Sequence, residues 1–229
     1  AVANLGAPVI SRWVGEWGGL EAVANLFNVG FGLMVMMLAF VLGALYAINN
    51  IDHESLQKKL RRSLMQAFVC FLVMLVFVLV NLLTMDGFAV DANGVVSMEP
   101  YKYLTNFLEM PVVLAMFLVG AVLLVAGVGM TLLKPKFVRG IWLAGPGTVL
   151  AVMALFMIAG YNGTAYYPSN ADIQCSLTLA NSCSSEFTLH TMAIVSLVIP
   201  LVLAYIVYFW RQMDKRSLTT EELKDTEKY

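Results

Sequence analysis

The sequence has few of the side chains on which soluble proteins and most catalytic sites depend. Only 13% of its 229 residues are charged, and the net charge of −1 excludes the basic face that nucleic-acid binding needs. Three cysteines are too few for a disulfide scaffold. Apolar residues are plentiful at 60%, against about 45–50% in soluble proteins, and the mean hydropathy is +0.79. This composition predicts an integral membrane protein.

Five stretches are long and apolar enough to cross a bilayer as helices. About 20 apolar residues are needed, because a helix rises about 1.5 Å per residue and the hydrocarbon core is about 30 Å thick. None of the five contains Asp, Glu, Lys or Arg, and none shows the alternation of an outer-membrane strand. We therefore predict an all-α, polytopic transmembrane helix bundle, with Pro146 and Pro200 kinking its fourth and fifth spans. The predicted spans are 27–48, 64–85, 112–133, 141–160 and 189–210.

The basic residues predict the orientation of the spans. Twelve of the 14 lysines and arginines follow the first, third or fifth span, and only Arg12 and Lys102 lie on the opposite side. The positive-inside rule places the twelve in the cytoplasm, so the N-terminus is expected outside and the C-terminus inside. The chain divides into an external interfacial segment (1–26), the five-helix transmembrane bundle (27–210) and a charged cytoplasmic tail (211–229).

The N-terminus is predicted to lie outside, yet the sequence does not begin with the charged and then apolar stretch of a signal peptide. We therefore expect the sequence to be a piece of a longer or processed membrane protein, whose missing front would carry further spans.

Ligands for a metal or a haem are sparse. The sequence has no CxxC, HxxxH or HExxH spacing. His53 is expected to be a solvated surface residue. His190 lies at the outer interface, where it is expected to stay in contact with water, and a role as haem ligand is the less favoured alternative. The 14 methionines, including the cluster at Met34, Met36 and Met37 and the pair Met153 and Met157, favour core packing over ligation. We predict no metal site and no catalytic residue in this chain.

The spans contain few polar side chains that could transfer a proton or bind an ion. Ionisable side chains inside a membrane mark proton or ion paths, and here all charged residues lie outside the five stretches. Gln66, Asn81 and Thr131 lie nearest the membrane interior and are expected to hydrogen-bond neighbouring helices. Cys70 is expected to be a buried, inert thiol. The pattern favours a scaffold, or the lining of an apolar route, over an ion-coupled transporter.

Two long connecting segments, 86–111 and 161–188, lie on the predicted outer side, where loops of such length are usually functional or covered by a partner. Cys175 and Cys183 both fall in the second segment. An oxidising exterior permits a disulfide between them, which would stabilise the fold by roughly 2–3 kcal/mol. The sequence leaves open whether the two cysteines are bridged.

An ordered series of short motifs resembles one known family, subunit II of cytochrome bd ubiquinol oxidase. The resemblance covers about Leu26 to Tyr229 and is carried by the series rather than by any single motif. Its members are Tyr46-Ala47-Ile48-Asn49-Asn50-Ile51-Asp52, Asp86-Gly87-Phe88, Glu109-Met110-Pro111, Gly160-Tyr161-Asn162, Tyr167-Pro168-Ser169, Ser176-Leu177-Thr178, Phe187-Thr188-Leu189 and Tyr208-Phe209-Trp210-Arg211.

The resemblance implies a non-haem subunit in the bacterial inner membrane. In that family, subunit II supports a haem-bearing subunit I, which holds haems b and d and oxidises quinol while oxygen is reduced to water. No cofactor is expected in this chain, although some members hold a structural quinone. Members of the family have eight spans, and this chain is similar to the last five. The acidic motifs of the first spans have no counterpart here, so no proton-path residue is carried over.

Two other interpretations are also compatible with the sequence. The chain is also compatible with half of a small-molecule permease, which further spans forming an inverted repeat would support. An assembly factor for another membrane complex leaves the ordered motifs unexplained.

Overall fold

The computed structural model describes residues 25–169 and 172–213, and these are mostly helical. They fall into two compact units, one formed by 25–49 with 60–182 and the other by 50–59 with 183–213. The predicted segment 1–26 and tail 211–229 lie almost wholly outside the described residues. In chain order the elements are α1 (Leu26–Asn50), α2 (Glu54–Thr84), β1 (Gly87–Val90), β2 (Val96–Glu99), α3 (Lys102–Glu109), α4 (Pro111–Leu133), α5 (Ile141–Gly160), a 3-10 turn (Ile173–Cys175), α6 (Leu179–Ser182), α7 (Glu186–Ser196) and α8 (Ile199–Met213).

Five helical segments are long and apolar enough to cross a membrane, which confirms the predicted spans. They are α1, α2, α4, α5 and the pair α7–α8, taken together as Glu186–Met213. The second span begins earlier than predicted, because the charged residues before it are already helical. The carbonyl of His53 accepts the first backbone hydrogen bonds of α2, from Leu56 and Gln57.

The core of the first unit lies between α1, α2, α4 and α5. Leu64, Phe71 and Val78 recur every seven residues along α2, the spacing that keeps one helix face against its neighbours. On α1 the buried face contains Val41, Leu45 and Ile48. The remaining faces of these helices carry exposed apolar side chains, which are stable in lipid or against another protein but not in water.

Helices α4 and α5 approach each other through glycine. A Cβ atom added to Gly120 would lie 2.6 Å from both the Gly147 oxygen and the Ala151 nitrogen, and one added to Gly127 would lie 2.7 Å from the Gly140 oxygen. Such contacts leave no room for a side chain, so the two backbones touch directly. Gly129, by contrast, faces open space. The glycines of the third predicted span therefore have different environments.

The fifth span is divided by Pro200. Leu197 and Val198 form a turn between α7 and α8, and their N–H groups donate to carbonyls only three residues back. Proline has no N–H to donate and its ring displaces the carbonyl four residues before it, which explains the interruption. The kink predicted at Pro200 is therefore present as a break, whereas α5 is continuous through Pro146. Within its own unit, no described residue of Glu186–Met213 is buried.

The segment between the second and third spans is ordered by a β-hairpin and a short helix. Strands β1 and β2 pair antiparallel, with Gly87 opposite Glu99 and Val90 opposite Val96. The connecting turn is closed by a hydrogen bond from the Asp91 N–H to the Val95 carbonyl, and Gly94 adopts a positive φ of 79°. The hairpin places α3 so that Tyr103, Asn106 and Phe107 are buried.

The packing of α4 on α5 predicts different effects for two substitutions of glycine by alanine. Gly120→Ala should destabilise the protein by about 1–3 kcal/mol, because the new methyl group forces the helix backbones apart. Gly129→Ala is the matched control and should be neutral or stabilising by up to about 1 kcal/mol, because alanine favours a helix over glycine. Thermal unfolding in detergent measures both, and equal melting temperatures for the two variants would contradict the described contact.

Candidate functional site

At one end of the bundle unit the connecting segments pack into a single layer, called here the hairpin layer (86–109 and 161–178, of which 170–171 are not described). The Val90 N–H donates to the Gly163 carbonyl at 2.6 Å, and the Ala165 N–H donates to the Phe88 carbonyl at 2.8 Å. The Gln174 side chain exchanges two hydrogen bonds with the Val96 backbone, at 3.0 and 2.8 Å. These bonds join both long segments into one surface.

Asn106 is the polar centre of the hairpin layer. Its side chain is completely buried, and its Nδ2 donates to the Ile158 carbonyl at 2.7 Å and to the Thr164 hydroxyl at 2.8 Å. The Ile158 carbonyl belongs to the last turn of α5, where carbonyl groups have no partner within the helix. Asn106 therefore satisfies the end of α5 and joins it to α3 and to the second segment.

Asn162 completes the same network from a left-handed backbone conformation, with φ of 58°. Its Nδ2 donates to Asn106 Oδ1 at 3.1 Å and to the Glu109 carboxylate. Asparagine is among the few residues that adopt this conformation readily. Beside the network, burial raises the pKa of the Tyr103 phenol above its usual value, so this group stays neutral and packs as an aromatic side chain.

At the opposite end of the bundle unit, Arg61 closes the end of α4. Its guanidinium donates to the carbonyls of Thr131, Pro135 and Phe137, the last two at 2.8 and 3.2 Å. Carbonyls at a helix C-terminus lack partners and carry partial negative charge, which a cation satisfies. One side chain of α2 therefore fixes both the end of α4 and the loop that follows it.

Two polar side chains within the spans, those of Asn81 and Thr131, bond to their own helices. Asn81 donates to the Phe77 carbonyl at 2.7 Å and Thr131 donates to the Gly127 carbonyl at 2.8 Å, each one turn back. The prediction that these two residues bond neighbouring helices is therefore wrong, because their short side chains reach a backbone acceptor on the same helix. Gln66 is exposed on α2. Among the described residues, no buried side-chain nitrogen or oxygen lacks a hydrogen-bond partner.

Cys70 lies on an exposed face of α2, which corrects the prediction that its thiol is buried. Nothing in the described chain covers this face of the helix, so the thiol faces whatever surrounds the bundle. Cys175 is half-buried and Cys183 is exposed. A disulfide between Cys175 and Cys183 stays a prediction.

The predicted ligand candidates have different surroundings. His53 is half-buried and its Nδ1 lies 3.0 Å from the Ser55 hydroxyl, whereas His190 is exposed and pairs with Glu186 at 3.8 Å. Of the methionines singled out, Met34 packs in the core, and Met36 and Met153 are exposed. In the part of the chain that the structure describes, no group of three or more His, Cys, Asp or Glu side chains could hold a metal ion.

Sequence reasoning did not single out Asn106 or Arg61. The stripe formed by Tyr103, Asn106 and Phe107, at helical spacing, is the signal that could have marked Asn106 as buried. Arg61 was counted only among the basic residues that set orientation, and nothing in its own sequence position distinguishes it from Arg62. Both residues act through contacts with segments distant in the chain.

The fold therefore defines a multi-pass α-helical membrane protein with hydrogen-bonded polar layers at both ends of its main bundle. The chain belongs to the cytochrome bd terminal oxidase subunit II family, whose sequence profile matches residues 1–213. It is accordingly a component of an oxidase complex that contains other subunits. No curated protein matches the chain.

The Asn106 network predicts that one substitution loosens the whole hairpin layer. Asn106→Ala leaves the Ile158 carbonyl and the Thr164 hydroxyl without their buried partner, which should cost about 1–3 kcal/mol. Hydrogen exchange at the Val90 and Ala165 amides should become faster as a result. Thr105→Ala, on the exposed face of the same helix, is the control and should change neither rate. Unchanged exchange in Asn106→Ala would refute a central role for this residue.

The Arg61 contacts predict a difference between two neighbouring arginines. Arg61→Lys should expose the loop after α4, because an ammonium group does not reproduce the planar fork that reaches three carbonyls. Limited trypsin digestion at Lys136 and Arg139 should become several-fold faster. Arg62→Lys, an identical change at an exposed position, should leave the cleavage rate unchanged. Equal rates in the two variants would show that Arg61 does not fix the loop.

Proposed function

We propose that this chain is the non-haem subunit of a cytochrome bd-type quinol oxidase in the bacterial inner membrane. It supports a haem-bearing subunit I, which oxidises quinol while oxygen is reduced to water. The observation that carries the proposal is the family match over residues 1–213. The same match favours this function over a permease half.

The positions of the charged residues and histidines favour a structural role for this chain over a catalytic one. The five predicted spans contain no Asp, Glu, Lys or Arg, and the chain has only two histidines. His53 lies just before α2, and His190 is exposed in α7 beside Glu186. Neither residue lies deep in a span, where a haem enclosed by helices would need its ligands. In the proposed complex the haems and the redox chemistry belong to the partner subunit.

The exposed apolar faces support a partner within the membrane. On α2, more than half of the surface of Val73, Val76 and Val80 is exposed. On α5, Val149 and Phe156 are similarly exposed. In the bilayer these faces contact either lipid tails or the helices of another subunit. The proposed oxidase assembly covers part of them with subunit I.

Purification of the tagged chain from its native membranes in mild detergent tests the proposal. We expect a second, haem-bearing polypeptide to co-purify, and the complex to consume oxygen when quinol is supplied. An unrelated multi-pass protein with the same tag is the control. After the subunits are separated, the haem absorbance should follow the partner. Retention of haem by this chain alone, or the absence of a haem-bearing partner, would refute the proposal.

The two histidines provide a sharper test of where the haem ligands lie. The double variant His53→Ala with His190→Ala removes every histidine from this chain. We expect the haem content and the reduced-minus-oxidised spectrum of the complex to match those of the wild type. A loss of one haem signal in the double variant would assign a ligand to this chain.

A further inference from the structure

The loop between α4 and α5 carries three cations that have no protein partner in the described chain. Lys134, Lys136 and Arg139 are all exposed. Within 25–169 and 172–213, the ion pairs involve other residues, and the side chains of these three make no hydrogen bond. The sequence has no Asp or Glu from Pro111 to Gly160. We call Lys134, Lys136 and Arg139 the loop cations.

The framework that carries the loop cations is fixed. Arg61 donates to the carbonyls of Pro135 and Phe137, which alternate with the loop cations along the chain. The Phe137 N–H donates to the Lys134 carbonyl at 2.9 Å, which closes a turn. Gly140, at the end of the loop, is buried against Thr131 and Gly127. The charge of Arg61 is therefore used within the protein. The loop cations, which are exposed and have no partner among the described residues, remain available to an external anion.

The lengths of the flanking helices indicate that the loop cations lie at the depth of lipid headgroups when α4 and α5 cross a membrane. Helix α4 ends at Leu133 and α5 begins at Ile141, and helices of 23 and 20 residues match the thickness of the hydrocarbon core. Trp142, 64% exposed, lies within the first turn of α5, and tryptophan is enriched at membrane interfaces. Leu133 is 83% exposed beside Lys134. Positive charge at the boundary thus adjoins apolar surface that faces the membrane.

We propose that the loop cations bind the headgroup of an anionic phospholipid, whose acyl chains lie along the exposed apolar surface that includes Leu133 and Trp142. A phosphodiester headgroup supplies the negative charge that the described chain does not offer here, and its attached chains distinguish it from a free anion. Basic pockets between membrane helices bind anionic lipids on this physical basis. The proposal concerns this chain alone and does not require the oxidase function.

The test measures protection of the detergent-purified protein, with its associated subunits, by phosphatidylglycerol. Thermal unfolding is followed as phosphatidylglycerol replaces phosphatidylcholine in mixed micelles, and the concentration for half-maximal stabilisation is determined. The triple variant Lys134→Gln, Lys136→Gln, Arg139→Gln should raise this concentration at least about tenfold, since each cation near an anionic surface contributes about fivefold in affinity. Inorganic phosphate at the same concentration should give no protection.

Matched variants separate this site from general electrostatic attraction. Removing three cations from the tail, through Lys215→Gln, Arg216→Gln and Lys224→Gln, changes the net charge equally and should leave the half-maximal concentration unchanged. The charge-retaining variant Lys134→Arg, Lys136→Arg, Arg139→Lys should also bind normally. If the triple glutamine variant does not fold, Lys136→Gln alone should still weaken protection by about fivefold.

Three results would overturn the proposal. The first is equal protection of the wild type and of the glutamine variants of the loop. The second is an equal loss of protection in the tail variant, which would show that only total charge matters. The third is equal protection by inorganic phosphate, which would show that the loop binds a free anion rather than a lipid.

Discussion

The hydrocarbon core of a membrane offers no hydrogen bonds, and much of this structure follows from that constraint. Every polar group within a span needs a partner in the protein, and the cheapest partner is the helix itself. Asn81 and Thr131 satisfy their side chains on carbonyls one turn back. Because these side chains are satisfied within their own helices, they do not hold helices together, and α4 and α5 associate by shape where Gly120 lets two backbones touch.

At the helix ends, by contrast, hydrogen bonds come from residues distant in the sequence. The last carbonyls of a helix have no N–H donor within the helix, so their hydrogen bonds come from other groups. Asn106 serves the end of α5 and Arg61 serves the end of α4, each reaching from a segment more than fifty positions distant in the sequence. The two ends are chemically different. One is an amide network that includes the Glu109 carboxylate, and the other is a single cation surrounded by carbonyls.

The spans and the family could be predicted from the sequence, but the two polar layers could not. Hydropathy is a local property, so the bounds of α5 were predicted without error and those of α1 within two residues. The start of α2 was missed because hydropathy reports the apolar part of a helix and not its charged first turns. The contacts of Asn106 and Arg61 depend on which segments meet in three dimensions. Cys70 was misplaced for a related reason, since an apolar stretch does not reveal which face is covered.

The break at Pro200 has a consequence for how the last span fits the bilayer. Helix α7 has 11 residues and α8 has 15, lengths of about 16 and about 22 Å, so neither crosses the hydrocarbon core alone. Because the two halves meet at a turn, the depth that the span crosses depends on the angle between them, whereas a continuous helix adapts to bilayer thickness mainly by tilting as a rigid rod. The break at Leu197 and Val198 therefore gives this span one more geometric variable with which to match a bilayer than a straight helix has.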